Sequence, residues 1–275
     1  MKTFFLSLFG ATVWATTPQG GLKARGAMRS RLSQMCEASN KTDTDLSLNW
    51  SGAVLNAPPS GTTFTSVSAE FSVPSPEPVN GQAGSSSIWV GIDGNTYRNA
   101  ILQTGIDLSV TSDGSTSFDA WYEWYPDYAY GFPNITITAG DRISLYVVST
   151  SSSSGIVTVE NLTSGQKASQ SLTAPDPSSI LGGQNAEWIV EDYEEGGHLV
   201  VLDNFGIVTF SDTSAGLSDG SFVAADGADI INILQNGEVL TSVTLGPSEI
   251  TITSRSEEES LRIDPEDDRI KFGYT

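Results

Sequence analysis

Basic side chains are scarce over most of this chain. Between residues 45 and 254 only Arg98, Arg142 and Lys167 carry a positive charge. Residues 45–275 hold seven Lys/Arg against 31 Asp/Glu, a net of −24, whereas residues 1–44 hold six against two, a net of +4. A surface this acidic repels nucleic acid and anionic membrane, which argues against both as partners. It becomes tolerable where the medium protonates carboxylates, so an acidic extracellular setting fits. Cysteine occurs once, at Cys36, and histidine once, at His198 beside Gly196 and Gly197. No disulfide is available after Cys36, and secretion permits disulfides without requiring them in a domain this large. Zinc held by nitrogen or sulfur is excluded, His198 reads as a loop residue, and no metal or cofactor is expected. No hydrophobic run reaches the length of a membrane-spanning helix.

The N-terminus, "MKTFFLSLFGATVWA", has one lysine, an apolar stretch and then small residues. That order predicts a secretory signal over 1–15, cleaved near Ala15, and an extracellular protein. Residues 16–44, with Lys23, Arg25, Arg29, Arg31 and Lys41, read as a basic propeptide laid against an acidic domain and inhibiting it. The tail 255–275, "RSEEESLRIDPEDDRIKFGYT", turns to dense mixed charge and reads as a flexible appendage. Sequons stand at Asn40, Asn49, Asn134 and Asn161. A monomer is expected.

From Leu46 onward, short β-rich runs alternate with Gly, Ser, Pro and Asp. About eleven such runs without a long 3.6-residue period predict one all-β domain over 45–254, an antiparallel sandwich or barrel. Asn236-Gly237 and the Ser/Gly stretch 149–155 read as hairpin turns, and the serine runs 85–87 and 151–154 as loops.

Side chains alternate faces along a strand, so parity is legible. In "SIWVGID", Trp89, Gly91 and Asp93 oppose Ile88, Val90 and Ile92. In "AILQTGIDL", Ile101, Gln103, Gly105 and Asp107 oppose Leu102, Thr104 and Ile106. In "FDAWYEWYP", Asp119, Trp121, Glu123 and Tyr125 oppose Ala120, Tyr122 and Trp124. In "QNAEWIVEDYEEGG", Glu187, Ile189, Glu191 and Tyr193 oppose Trp188, Val190 and Asp192. Each strand thus has an apolar face for the core and a face mixing aromatics, amide and carboxylates. If these strands are neighbours, that second face is a binding groove.

Several familiar constellations fail. "GLSDG" (216–220) matches a nucleophile elbow at Ser218 but lies between β-runs, with no downstream histidine. "QTG" (103–105) has glutamine where an aspartic protease needs aspartate. What remains suits a glycosidase using Glu123 and Glu191, an acid peptidase in which a carboxylate activates water and an amide holds the oxyanion, or a lectin-like carbohydrate binder without catalysis.

The blocks "NWSGAVL", "WVGIDGNTYRNAILQTG", "FDAWYEWYP", "ENLTSGQK" and "NAEWIVEDYEE" resemble those of the glutamic peptidases (eqolisins), in the same order from about Leu46 to Thr253. The resemblance implies a secreted, pepstatin-insensitive acid endopeptidase acting on proteins and peptides, with a lectin-like sandwich of two bent antiparallel sheets and a concave substrate cleft. By the same resemblance the catalytic pair is Gln103 and Glu191, and Trp89, Asp93, Asp107, Asp119, Trp121 and Glu123 line the cleft. Glu191 would activate water and then protonate the leaving amine, and Gln103 would hold the oxyanion. Glutamine suits that role because it keeps its donor at any pH.

Overall fold

The computed structural model of the protein describes residues 32–36 and 44–255. Its strands, numbered in chain order, form two large sheets and one short hairpin. The first sheet runs β1 (Thr44–Ser47), β16 (Asp229–Gln235), β2 (Trp50–Leu55), β11 (Ala186–Glu191), β4 (Gly84–Ile92), β5 (Ile101–Val110), β6 (Thr116–Tyr125) and β7 (Tyr130–Gly131), with β17 (Glu238–Val239) paired to β16. The second runs β10 (Gln166–Thr173), β9 (Ser154–Asn161), β8 (Arg142–Ser151), β3 (Phe64–Ser72), β14 (Ile207–Leu217), β19 (Ile250–Ser254) and β18 (Thr241–Leu245), with β15 (Phe222–Val223) on β14. The hairpin is β12 (Glu194–Glu195) and β13 (His198–Leu199). Within the described residues the expected sandwich is present, and antiparallel pairing has one exception among the named strands, the parallel pair β1 and β16.

The core lies between the sheets and takes the apolar parity of each strand. Ile88, Val90 and Ile92 of β4, Leu102 and Ile106 of β5, and Trp188 and Val190 of β11 meet Val67 and Phe71 of β3, Leu145 and Val147 of β8, and Phe210 of β14. Burying each of these side chains is worth about 1.5–3 kcal/mol. Trp188 also ties the layers with a hydrogen bond from Nε1 to the Ser68 carbonyl at 2.9 Å. A second apolar cluster, with Trp50, Trp89, Trp121 and Ile189 among its members, sits on the outer face of the first sheet.

The turn at Asn236-Gly237 has φ of 51° and 84°, the paired left-handed conformation of a two-residue hairpin, and it joins β16 to β17 as expected. Ser151–Ser154 closes the β8–β9 hairpin. Serines 85–87 are not a loop. They lie inside β4, where Ser86 and Ser87 are buried, and a small side chain is needed at Ser87 because Asp107 of β5 and Trp121 of β6 both hydrogen-bond to its hydroxyl. "GLSDG" forms the β14–β15 turn, and Ser218 Oγ accepts the Thr63 N–H. Residues 1–31, 37–43 and 256–275, carrying the signal, most of the propeptide with the Asn40 sequon, and the tail beyond Arg255, lie outside the described residues.

Two sequons are occupied by the fold itself. Asn49 is buried, and its Nδ2 donates to Glu191. Asn161 is buried with Nδ2 donating to the Thr136 carbonyl and to Asp141. Asn134 is exposed.

Candidate active site

Strand register builds three rows across the outer face of the first sheet. One row runs Glu187, Gly91, Gln103 and Glu123 from β11 to β6. The next runs Ile189, Trp89, Gly105 and Trp121, and the third Glu191, Ser87, Asp107 and Asp119. The period of two that separates rows is the parity already visible in the sequence, so the amide, the carboxylates and the tryptophans share one surface. The centre of this surface is buried: Gln103, Glu123, Glu187, Glu191 and Trp89 are all 0% exposed.

Gly105 makes the middle row possible. A Cβ there would lie 2.3 Å from the Ile88 carbonyl oxygen and 2.5 Å from Trp89 Cβ. With glycine in place, the Trp89 side chain lies over β5. Its Nε1 donates to Glu191 Oε2 at 2.9 Å. The far edge of the same ring, Cζ3, reaches to 3.0 Å from the point where a Cβ on Gly91 would sit. The indole therefore spans from the Glu191 row to the Gln103 row. Trp50 packs edge-on against it, ring centroids 4.9 Å apart at 76°.

Glu191 receives a donor on each carboxylate oxygen, Trp89 Nε1 on Oε2 and Asn49 Nδ2 on Oε1 at 3.4 Å. Gln103 is oriented by Glu123, whose Oε2 accepts from its Nε2 at 3.0 Å. With the amide nitrogen facing Glu123, the amide oxygen points elsewhere. Among the described residues Gln103 Oε1 has no hydrogen-bond partner. In the third row Trp121 Nε1 donates to Ser87 Oγ at 3.1 Å, and Ser87 Oγ donates to Asp107 Oδ1 at 3.0 Å. Asp119 is exposed at the end of that row.

Asp93 follows this surface in sequence parity, but its carboxylate is engaged elsewhere. It sits just past β4 with φ of +67° and accepts four backbone N–H groups, Gly182 and Gly183 on Oδ2 and Gln184 and Asn185 on Oδ1, at 2.7–3.3 Å. Burial pushes its carboxyl above the usual range, and those four N–H groups act in the opposite direction. The contact fixes the segment leading into β11 and hence the strand that carries Glu187 and Glu191.

Residues 32–36 lie against the same surface. Leu32 packs on the Trp50–Trp89–Trp121 cluster. The Gln34 N–H donates to Asn49 Oδ1 at 2.8 Å, and Gln34 Nε2 donates to Glu194 Oε1 at 2.8 Å. Arg98 donates to the Ser33 carbonyl at 2.9 Å, and Met35 bridges to Ser47. Asn49, Ser87 and Glu194 were not singled out as site residues in the sequence. Ser87 shares the parity of Trp89 and Gly91 and was legible on that ground; Asn49 was masked by its sequon.

The sequence profile of the Peptidase A4 family matches residues 48–254. Aspergillopepsin-2 of Aspergillus niger is 43% identical over 240 residues, 80% of this chain and 82% of that protein. Scytalidopepsin B of Scytalidium lignicola is 37% identical over 258 residues, 89% of this chain and 95% of that protein. A crystal structure of scytalido-glutamic peptidase with a transition-state-analogue inhibitor superposes with a TM-score of 0.67 at 40% identity, covering 75% of this chain and 98% of that one. Aspergilloglutamic peptidase from Aspergillus niger gives 0.59 at 49% identity, over 62% and 99%. The all-β sandwich, the row of glutamine and glutamates on its outer face and these similarities agree, and the chain belongs to the peptidase A4 family, the glutamic peptidases or eqolisins.

Proposed function

We propose that this peptidase is a secreted endopeptidase that cleaves proteins in acid with Glu191 and Gln103 as its catalytic dyad. The observation that carries the reading is the pair of fixed orientations on one buried face. Glu191 is held by Trp89 and Asn49, and Gln103 is held by Glu123. Glu191 takes a proton from water as the water oxygen bonds to the scissile carbonyl carbon. The carbonyl oxygen becomes an oxyanion and receives the second N–H of Gln103. As the tetrahedral intermediate collapses, the C–N bond breaks and Glu191 returns the proton to the leaving amine. Losing one such oxyanion donor costs about 3–4 kcal/mol in other hydrolases. Asp107, Trp121 and the exposed Asp119 extend the surface along which an extended peptide lies, with Trp89 and Glu123 beneath it. Asp93 contributes by anchoring the start of β11.

The propeptide 16–44 is its inhibitor in this reading. Leu32 fills apolar surface on the tryptophan cluster, and Gln34 takes up Asn49 and Glu194, so residues 32–36 lie where a substrate would. Cleavage near residues 44–48 would free the cleft. The test is digestion of a denatured protein by mature enzyme at acid pH, with pepstatin present. Digestion is expected to persist and to disappear in Glu191→Ala. Digestion by a well-folded Glu191→Ala enzyme would refute the assignment.

A further inference from the structure

The dyad contains one titrating group, Glu191, which as a base must be ionised and so limits turnover on the acid side. Glutamine does not titrate. A limit on the neutral side needs a second group that must keep its proton, and the outer face holds one that the mechanism above does not use. Glu187 is two side-chain steps before Glu191 on the same face of β11 and in the same row as Gln103. It is 0% exposed, and among the described residues neither carboxyl oxygen makes a well-formed hydrogen bond, the Asn95 backbone N–H being the donor that faces it.

Geometry ties Glu187 to Gln103. Between them in the row stands Gly91, which has no side chain. Glu187 Oε2 and Gln103 Cβ each lie 3.3 Å from the point where a Cβ on Gly91 would be. The two side chains therefore share the gap above that glycine. The groups facing Glu187 are Asp93 beyond β4, Glu191 on its own strand, and the backbone N–H of Asn95, while on β2 its register partner is the uncharged Val54. Beyond Gln103 the row ends on Glu123.

We infer that Glu187 is a positioning residue for the reaction: protonated, it leaves the Gln103 amide turned to Glu123 and the substrate, and on ionising it draws that amide toward itself and stops turnover. The inference rests on the dyad reading given above. Its physical ground is that a carboxylate formed in this gap faces a single backbone N–H, that of Asn95, which leaves it short of donors, and Gln103 Nε2 is a donor across the gap. Burial, with the repulsion of Asp93 and then Glu191, holds the Glu187 carboxyl well above the usual range, so the proton stays on through the acid range.

The experiment measures kcat/KM against pH for the mature enzyme, for Glu187→Gln and for Glu191→Gln, all at temperatures where each is folded by circular dichroism and in an Asp203→Asn background, because burial drives the Asp203 carboxyl up to about 7 and its ionisation would add a pH dependence of its own. Glu187→Gln is neutral at every pH. It should keep acid-side kcat/KM within about tenfold and move the neutral-side limb up by at least one pH unit, tenfold in rate where the parent is falling. An unmoved limb overturns the inference. So does loss of acid activity in a folded Glu187→Gln enzyme, because Glu187 would then act as a charged group. Should that variant fail to fold, the 13C carboxyl shift of Glu187 is titrated in Glu191→Gln. Proton loss at or somewhat below the parent's neutral limb supports the inference, since Glu191→Gln removes one repulsion, and a carboxyl already ionised at the acid optimum overturns it. Activity in Glu191→Gln would instead refute the dyad itself, whatever Glu187 does.

Discussion

Replacing Asp203 by asparagine should flatten the dependence of this enzyme's stability on pH. Asp203 and Asp192 are both 1% exposed. Asp192 follows Glu191 just past the end of β11, while Asp203 comes from the irregular segment after β13. Burial drives each carboxyl up to about 7. For Asp192 the Gln235 amide, 2.6 Å away, acts against burial and the charge of Asp203 adds to it. For Asp203 the Ser86 hydroxyl and its own backbone N–H act against burial, although among the described residues neither carboxyl oxygen makes a well-formed hydrogen bond. A folded-state value near 7 against an ordinary 3.8 is about three units, or about 4 kcal/mol for one group taken alone. The sign follows from proton counting. Between the two values the native state binds more protons than the unfolded chain, so the stabilisation is complete below about pH 4 and is lost as pH rises through about 7. The slope is about 1.4 kcal/mol per pH unit for each group, and a 4 kcal/mol change shifts Tm by roughly 8–16 °C in a domain of this size. Urea and thermal unfolding at pH 4 and pH 7 measure it. Asparagine leaves a buried amide whose cost is the same at both pH values, so the comparison is of slopes. Equal stability of the parent at pH 4 and pH 7, or an unchanged slope in Asp203→Asn, would refute the reasoning.

Trp89→Phe leaves a smaller phenyl ring and removes the donor on Glu191. A hydrogen bond to a charged group is worth about 1.5–3 kcal/mol, so kcat/KM should fall roughly 10- to 100-fold, and the cavity left in the buried tryptophan cluster should lower Tm as well. Gly105→Ala places a Cβ 2.5 Å from Trp89 Cβ, and should cost about 1–3 kcal/mol or more in urea unfolding as well as activity. A synthetic 16–44 peptide should inhibit mature enzyme just above its acid optimum at low salt, and Arg98→Ala should weaken that inhibition by removing the hold on the Ser33 carbonyl. Inhibition unaffected by salt and by reversing Arg25, Arg29 and Arg31 would make it steric rather than electrostatic.

Much of the site was legible because parity is a property of the backbone. Trp89, Gln103, Glu123 and Glu191 fall on one face by counting residues, and register then aligns them across four strands. Parity does not say where a carboxylate ends up once a strand stops. Asp93 has the right parity, but it lies one residue past β4 in a left-handed conformation that turns it to the 182–185 backbone. The strand β10, "QKASQSLT", was missed because it lies at a sheet edge and alternates polar with small residues, so no apolar period marks it. Residues 32–36 carry too few residues for any pattern, and their place against Asn49 and Glu194 depends on partners 15 and 160 positions away. The loss of solvation at Asp192, Asp203 and Glu187 likewise comes from packing between segments far apart in sequence.

The central claim is that Gln103 and Glu191 work as one unit, and a double-substitution cycle tests it most directly. Turnover of a peptide substrate at acid pH is measured for Gln103→Ala, Glu191→Ala and the doubly substituted enzyme, with folding checked for each. Residues acting on the same transition state are strongly non-additive, so the double variant should be about as slow as the slower single variant. Losses that multiply in the double variant, or near-normal turnover in either folded single variant, would contradict a Gln103–Glu191 dyad.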